Sequence, residues 1–121
     1  MTTQGVSTMV ASIGVPYAYY QFPEGTQQAT PFVCFYFEEN NDFLADDSNY
    51  QKIEHLTIEV YTDSKDFALE ATVEGILATN GMVWTRYEDW IKSERMVKVS
   101  YEMDVVITTA STDTEEETDG E

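Results

Sequence analysis

Few side chains in this 121-residue chain are of the types that do chemistry. His55 is the only histidine and Cys34 the only cysteine, so the sequence holds neither an internal disulfide nor a cysteine cluster with zinc spacing. Cys34 lies among Phe, Val and Tyr residues, where a thiol behaves as a small hydrophobic group with a raised pKa. A lone imidazole without a nearby nucleophile builds no catalytic triad. We therefore expect a core cysteine, a histidine on a surface strand and no enzymatic activity.

Carboxylates are abundant, but their spacing predicts no metal or cofactor site. The loop with Asp42, Asp46 and Asp47 offers hard oxygen ligands for a divalent cation. It lacks the turn glycine and the glutamate at the twelfth position that a calcium loop requires. No glycine-rich phosphate loop is present, and no pair of carboxylates is marked by its surroundings as a general acid and base. We expect a solvated loop or one that faces a partner.

A second acidic group lies on the helix predicted after Asp63. Asp66, Glu70 and Glu74 stand four residues apart on one helix face, with no basic residue between them. Like charges at that spacing cost about 0.2 to 0.5 kcal/mol per pair. We interpret the three residues as a solvated acidic surface; the alternative is a surface that repels polyanions or meets a basic partner.

The net charge of −17 is unevenly distributed along the chain. Residues 108–121 contain six acids and no base, which leaves residues 1–107 near −11. Such a charge disfavours sequence-specific nucleic-acid binding or adhesion to anionic lipid, because both depend on clustered Lys and Arg. No apolar stretch approaches the length of a membrane-spanning helix. We predict a single domain over residues 1–107, a disordered acidic tail over 108–121, and no membrane association.

Hydrophobic spacing indicates the elements of that domain. Intervals of three and four predict helices at 3–13 and after Asp63, ending at Gly14 and at Asn80-Gly81. Asp63 is predicted to cap the second helix. Aromatic content and alternation predict strands, which cover residues 17–22, 31–37, 52–62, 82–88 and 95–107. The order α-β-β-β-α-β-β indicates an α+β fold with a mainly antiparallel sheet and both helices on one side.

Several apolar residues exceed what one small core requires. The strand at 31–37 is apolar on both faces, so its second face is covered either by this domain or by a neighbouring subunit. The polar loop at 38–49 contains an isolated apolar pair, and such loops usually have a partner. We expect contacts between subunits at these side chains: Tyr17, Tyr19, Phe43, Leu44 and Tyr50.

The order of several short sequence segments in this chain resembles that in a family of small phage proteins. The resemblance covers roughly residues 8 to 107 and rests on Ile13-Gly14-Val15-Pro16-Tyr17, Pro31-Phe32-Val33, Ala45-Asp46-Asp47 and Ile58-Glu59-Val60-Tyr61-Thr62. The chain is similar to tail terminator, tail completion or head-to-tail joining proteins of long-tailed phages and prophages of Gram-positive bacteria. This likeness implies an α+β sandwich, a hexameric ring, and a role in closing the tail tube and joining it to the head. The acidic tail departs from the typical member.

The resemblance also implies partners and a location. The partners would be copies of the chain, the major tail tube protein and the head-completion or connector proteins, with DNA passing through the ring. The protein would be made and assembled in the host cytoplasm and reside in the neck or tail of the virion.

Two alternative functions remain for the chain. One is a head-completion protein of the neck, and the other is a small acidic inhibitor that mimics nucleic acid and sequesters a basic partner.

Overall fold

The computed structural model describes residues 1–23, 28–40, 43–44 and 50–108. The predicted acidic tail beyond Thr108 and the loop aspartates Asp42, Asp46 and Asp47 lie outside these residues. The elements are α1 (Thr3–Ala11), β1 (Tyr17–Tyr19), β2 (Phe32–Asn40), β3 (Phe43–Leu44), β4 (Tyr50–Thr62), α2 (Phe67–Thr79), β5 (Thr85–Ile91) and β6 (Met96–Ile107). No described helix is long and apolar enough to span a membrane.

Five strands form the main sheet in the order β1-β2-β4-β6-β5. Only the β1–β2 pair is parallel, so the predicted α+β class and mainly antiparallel sheet are confirmed. The short strand β3 pairs with β4 at Phe43 and Leu44, within the segment predicted to be loop. A two-residue strand is too short to show alternation, and only its pairing with β4 defines it.

Both helices contribute to one hydrophobic core with one alternating set of strand residues. Four core residues of the helices are at most 1% exposed: Val6 and Val10 of α1, and Val73 and Leu77 of α2. They share a cluster with inward-facing residues of β2, β4 and β6: Val33, Phe35, Leu56, Ile58, Val60, Val97, Val99, Tyr101, Met103, Val105 and Ile107. Side chains alternate across a strand, so the remaining set points to the opposite face of the sheet.

The helix ends are partly as predicted. Gly14 and Gly81 follow the two helices with φ of +92° and +76°, a left-handed conformation that glycine adopts without a Cβ clash. The predicted cap at Asp63 is wrong: Asp66 caps α2 by accepting a 3.0 Å hydrogen bond from the N–H of Leu69. Asp63 instead accepts a hydrogen bond from the hydroxyl of Thr30 and ties the approach to β2 to the end of β4.

The last hairpin is shifted from its predicted position. β5 begins at Thr85 rather than at residue 82, and its register with β6 runs from Thr85 opposite Glu102 to Ile91 opposite Met96. The connection therefore shrinks to four residues, 92–95, which we call the hairpin tip. Cross-strand pairing, which local composition does not encode, sets these bounds.

Candidate functional site

The sheet face opposite the helices, which we call the open face, carries polar and aromatic residues in cross-strand rows. The central row runs Cys34, Glu59, Ser100 and Tyr87 across β2, β4, β6 and β5. Two grooves lie on this face, and no residue of α1 or α2 lines either of them. The second apolar face predicted for the strand at 31–37 thus faces these grooves.

Glu59 organises the centre of the open face. Its carboxylate accepts hydrogen bonds from the hydroxyl of Tyr36 at 2.8 Å and of Tyr61 at 2.7 Å, and Lys98 lies 3.8 Å away. Burial, and then the hydrogen bond to Glu59, raises the pKa of both phenols above the ordinary tyrosine value. Both hydroxyls therefore remain protonated donors, and the carboxylate fixes the two rings in place.

His55 lies among three carboxylates contributed by β2 and β6. Its Nε2 is 3.2 Å from Glu102 and 4.0 Å from Glu38, and its Nδ1 is 3.2 Å from Asp104. Burial by itself lowers the pKa of His55, but hydrogen bonds to Asp104 and Glu102 and their negative charges outweigh it and raise that pKa above its usual value. His55 thus offsets acidic repulsion between strands when it is protonated.

The polar groove lies beside this network and has a volume of about 340 Å³. The carboxylates that line it are Glu59, Glu88, Asp89 and Glu102, against one lysine, Lys98. Ser100 also lines it, and this residue is only 6% exposed. Its hydroxyl makes no hydrogen bond with the described part of the chain.

The second groove, of about 420 Å³, is more apolar. Phe32 stacks on Tyr61 with ring centroids 4.8 Å apart, and Tyr20 stacks on Tyr36 at 5.5 Å. Cys34 lines this groove rather than joining the core between helices and sheet, although it is buried as predicted. Burial, followed by the nearby charge of Glu59, raises the pKa of the Cys34 thiol to about 11, which leaves it unreactive near neutral pH.

The predicted subunit-contact residues that can be placed lie on the outer edge of the sheet. Tyr17 and Tyr19 of β1 are 41% and 45% exposed. Tyr20, which the sequence analysis did not single out, is 59% exposed and has a positive φ of 68°. The backbone of Phe43, Leu44 and Tyr50 belongs to β3 and β4, while their side chains lie outside the described residues. Their contact role stays a prediction.

The predicted acidic surface on α2 contains ion pairs rather than only solvated carboxylates. Glu70 is 4% exposed and pairs with Lys65 at 2.8 Å and with Arg86 at 3.1 Å. Glu74 pairs with the same Arg86 at 3.4 Å and accepts a hydrogen bond from the hydroxyl of Tyr101. Glu70 therefore does not belong to a solvated acidic surface, because Lys65, five residues before it, and Arg86 of β5, sixteen residues after it, both pair with it.

The two residue types most often used as base and nucleophile lie apart in the described structure. The partners of His55 are carboxylates, while Cys34 lines the apolar groove. Among residues 1–23, 28–40, 43–44 and 50–108, no group of three or more His, Cys, Asp or Glu side chains is arranged to hold a metal ion. The open face carries stacked aromatic rings, and aromatic residues are enriched at protein interfaces.

Comparison with known proteins finds similarity in structure alone. No protein-family model and no curated protein sequence matches the chain. One chain of a solved structure, the virion of a native gene transfer agent particle, superposes with a TM-score of 0.57 and 14% sequence identity. The match covers 87% of this chain and 87% of that one. The two chains therefore share a fold.

Proposed function

We propose that the protein is a structural component of a phage virion, without substrate or cofactor. The observation that carries this proposal is the open face, on which aromatic rings and partly buried polar groups line grooves that no helix residue lines. Such a face is completed by another protein chain. The fold shared with a chain of a gene transfer agent virion supports the same class of function.

Within the virion, we propose a ring at the head–tail junction that terminates the tail tube and joins it to the head. Residues on the exposed β1 edge, with Tyr17 and Tyr19, suit contacts between copies around a closed ring. The major tail tube protein would lie below the ring and the head-completion proteins above it. The acidic body would keep DNA from adhering to the channel wall, because like charges repel.

The test is deletion of the gene, followed by electron microscopy of the particles. We expect DNA-filled heads separate from tails, with tails of irregular length, and we expect mass spectrometry to find the protein in purified wild-type virions. Heads that lose their DNA beside tails of normal length would instead indicate a head-completion protein. Normal, infectious particles without the protein would refute a structural role.

Lysine substitution at channel-facing acids provides a second test, once microscopy of the ring shows which acids these are. We expect slower DNA ejection, since the added cations would pair with phosphates. Unchanged ejection would contradict an electrostatic role for the channel wall.

A further inference from the structure

The hairpin tip carries two cations that pair with none of the described residues. Four of the six Lys and Arg residues form ion pairs within the chain: Lys52, Lys65, Arg86 and Lys98. The other two, Lys92 and Arg95, are exposed and form no ion pair with any described residue. In a protein of net charge −17, exposed cations that no described residue pairs are available to a partner.

The tip presents these cations on a short, hydrogen-bonded turn. The N–H of Glu94 donates to the carbonyl of Ile91 at 3.2 Å, and the N–H of Arg95 donates to the carbonyl of Lys92 at 3.3 Å. Arg95 has a φ of +53°, a left-handed conformation that ends the turn and restarts the strand. Because these hydrogen bonds already fix the turn, docking the tip would cost little backbone entropy, and the main entropic cost would be in the Lys and Arg side chains.

The polar groove on the open face offers the complementary site. Its carboxylates outnumber its one lysine, and Asp89 has no ion pair with the described residues. Acids alone would only mark a solvated surface, but Ser100 adds a separate observation. Ser100 is only 6% exposed, lines the groove, and forms no side-chain hydrogen bond with any described residue, which is unfavourable for a buried hydroxyl until a partner reaches it.

We propose that the hairpin tip of one copy docks into the polar groove of a second copy, with Arg95 directed to Asp89 and Ser100. The inference rests on the ring proposed above and names the contact that would close it. Charge complementarity favours a second copy, since the tip is the only described segment with unpaired cations and the groove is acidic. Residues 1–51 contain no Lys or Arg, so β1, β2 and β3 supply no competing cation.

The contact joins two different surfaces, so it is heterologous and can repeat around a ring. The tip extends beyond the last paired residues of the hairpin, Ile91 and Met96, whereas Asp89 and Ser100 lie within the paired region. Each subunit would thus donate its tip to one neighbour and accept the tip of the other. The association should weaken as salt is added, because exposed charges are screened over about 8 Å at physiological ionic strength.

A charge exchange tests this arrangement, with ring formation followed by native mass spectrometry and analytical ultracentrifugation over a range of protein concentrations. Arg95→Glu and Asp89→Lys should each weaken association about tenfold or more. An equal mixture of the two variants should recover rings with an even number of subunits, because each tip then meets a groove of opposite charge. The double variant in one chain should also recover rings.

Two further variants separate docking from folding. Ser100→Ala should leave the monomer at least as stable, since it removes a buried hydroxyl that bonds to no described residue, yet it should weaken association. Thr3→Glu combined with Gln4→Glu is the charge-matched control for Arg95→Glu, because both sites are exposed on α1 and the net charge changes equally. This control should assemble as the wild type does.

The outcomes distinguish the docking contact from the proposed function. If the deletion blocks head–tail joining but Arg95→Glu and Asp89→Lys assemble and complement as the wild type does, the docking proposal is wrong and the virion role stands. A wild-type protein that stays monomeric at every concentration also overturns the docking proposal. If the deletion leaves particles normal, the proposed function itself fails.

Discussion

Replacement of Glu70 by Gln has opposite expected effects on stability, depending on whether helix spacing or the tertiary contacts are considered. From spacing alone, the free energy of unfolding should rise, because the change removes like-charge repulsion with Asp66 and Glu74 of about 0.2 to 0.5 kcal/mol per pair. From the contacts in the structure, the free energy of unfolding should fall. Glu70 is buried and holds Lys65 at 2.8 Å and Arg86 at 3.1 Å, so the neutral amide would leave two cations with less compensation.

The size of the loss follows from these contacts. A hydrogen bond to a charged group contributes about 1.5 to 3 kcal/mol, and Glu70 accepts from two such groups. The contribution is discounted for solvent screening, since the side chains of Lys65 and Arg86 are 27% and 47% exposed. Glu88 and Glu74 also continue to hold these cations. We therefore expect Glu70→Gln to lower the free energy of unfolding by about 1 to 3 kcal/mol.

Urea unfolding at 25 °C and low protein concentration measures this difference, with the slope of the transition checked for constancy. Glu88→Gln is the matched control: its carboxylate pairs with the same Lys65 but is 48% exposed, so we expect a change of about 0 to 1 kcal/mol. A Glu70→Gln protein as stable as the wild type, or more stable, would refute the assignment of a buried, compensating carboxylate.

Three further predictions concern His55, Cys34 and the cap of α2. Because the folded state raises the pKa of His55, wild type should exceed His55→Gln in stability most below about pH 6.5. This difference should shrink as pH rises through the folded-state pKa of His55. Urea unfolding from pH 5 to 9 measures it, and a pH-independent difference would contradict the prediction. Cys34, with its pKa raised to about 11, should resist thiol reagents at pH 8 in the native protein and react fully in urea; rapid native reaction would show that it is accessible. Asp66→Ala should lower stability by about 1 kcal/mol, because α2 loses its N-terminal cap. Asp63→Ala should leave amide hydrogen exchange in the first turn of α2 unchanged. The reverse pattern would support the predicted cap at Asp63.

The sequence by itself determined the elements whose signal is local and periodic. The alternation that predicted β4 and β6 passes through residues that are buried in the core, such as Leu56, Ile58 and Val99. The helix spacing likewise passes through the buried Val6 and Val73, and glycine marked both helix ends. These signals are read within one element, because burial of one face fixes the period of the side chains that face the core.

Only the tertiary structure decided which polar groups meet. The pairing of Glu70 with Arg86 spans 16 residues, and that of His55 with Asp104 spans 49, so no local pattern contains either contact. Strand order placed Glu59, Ser100 and Tyr87 in one row and left the tip cations Lys92 and Arg95 without partners among the described residues. Charge compensation depends on distance in space, and the register and order of the strands set that distance.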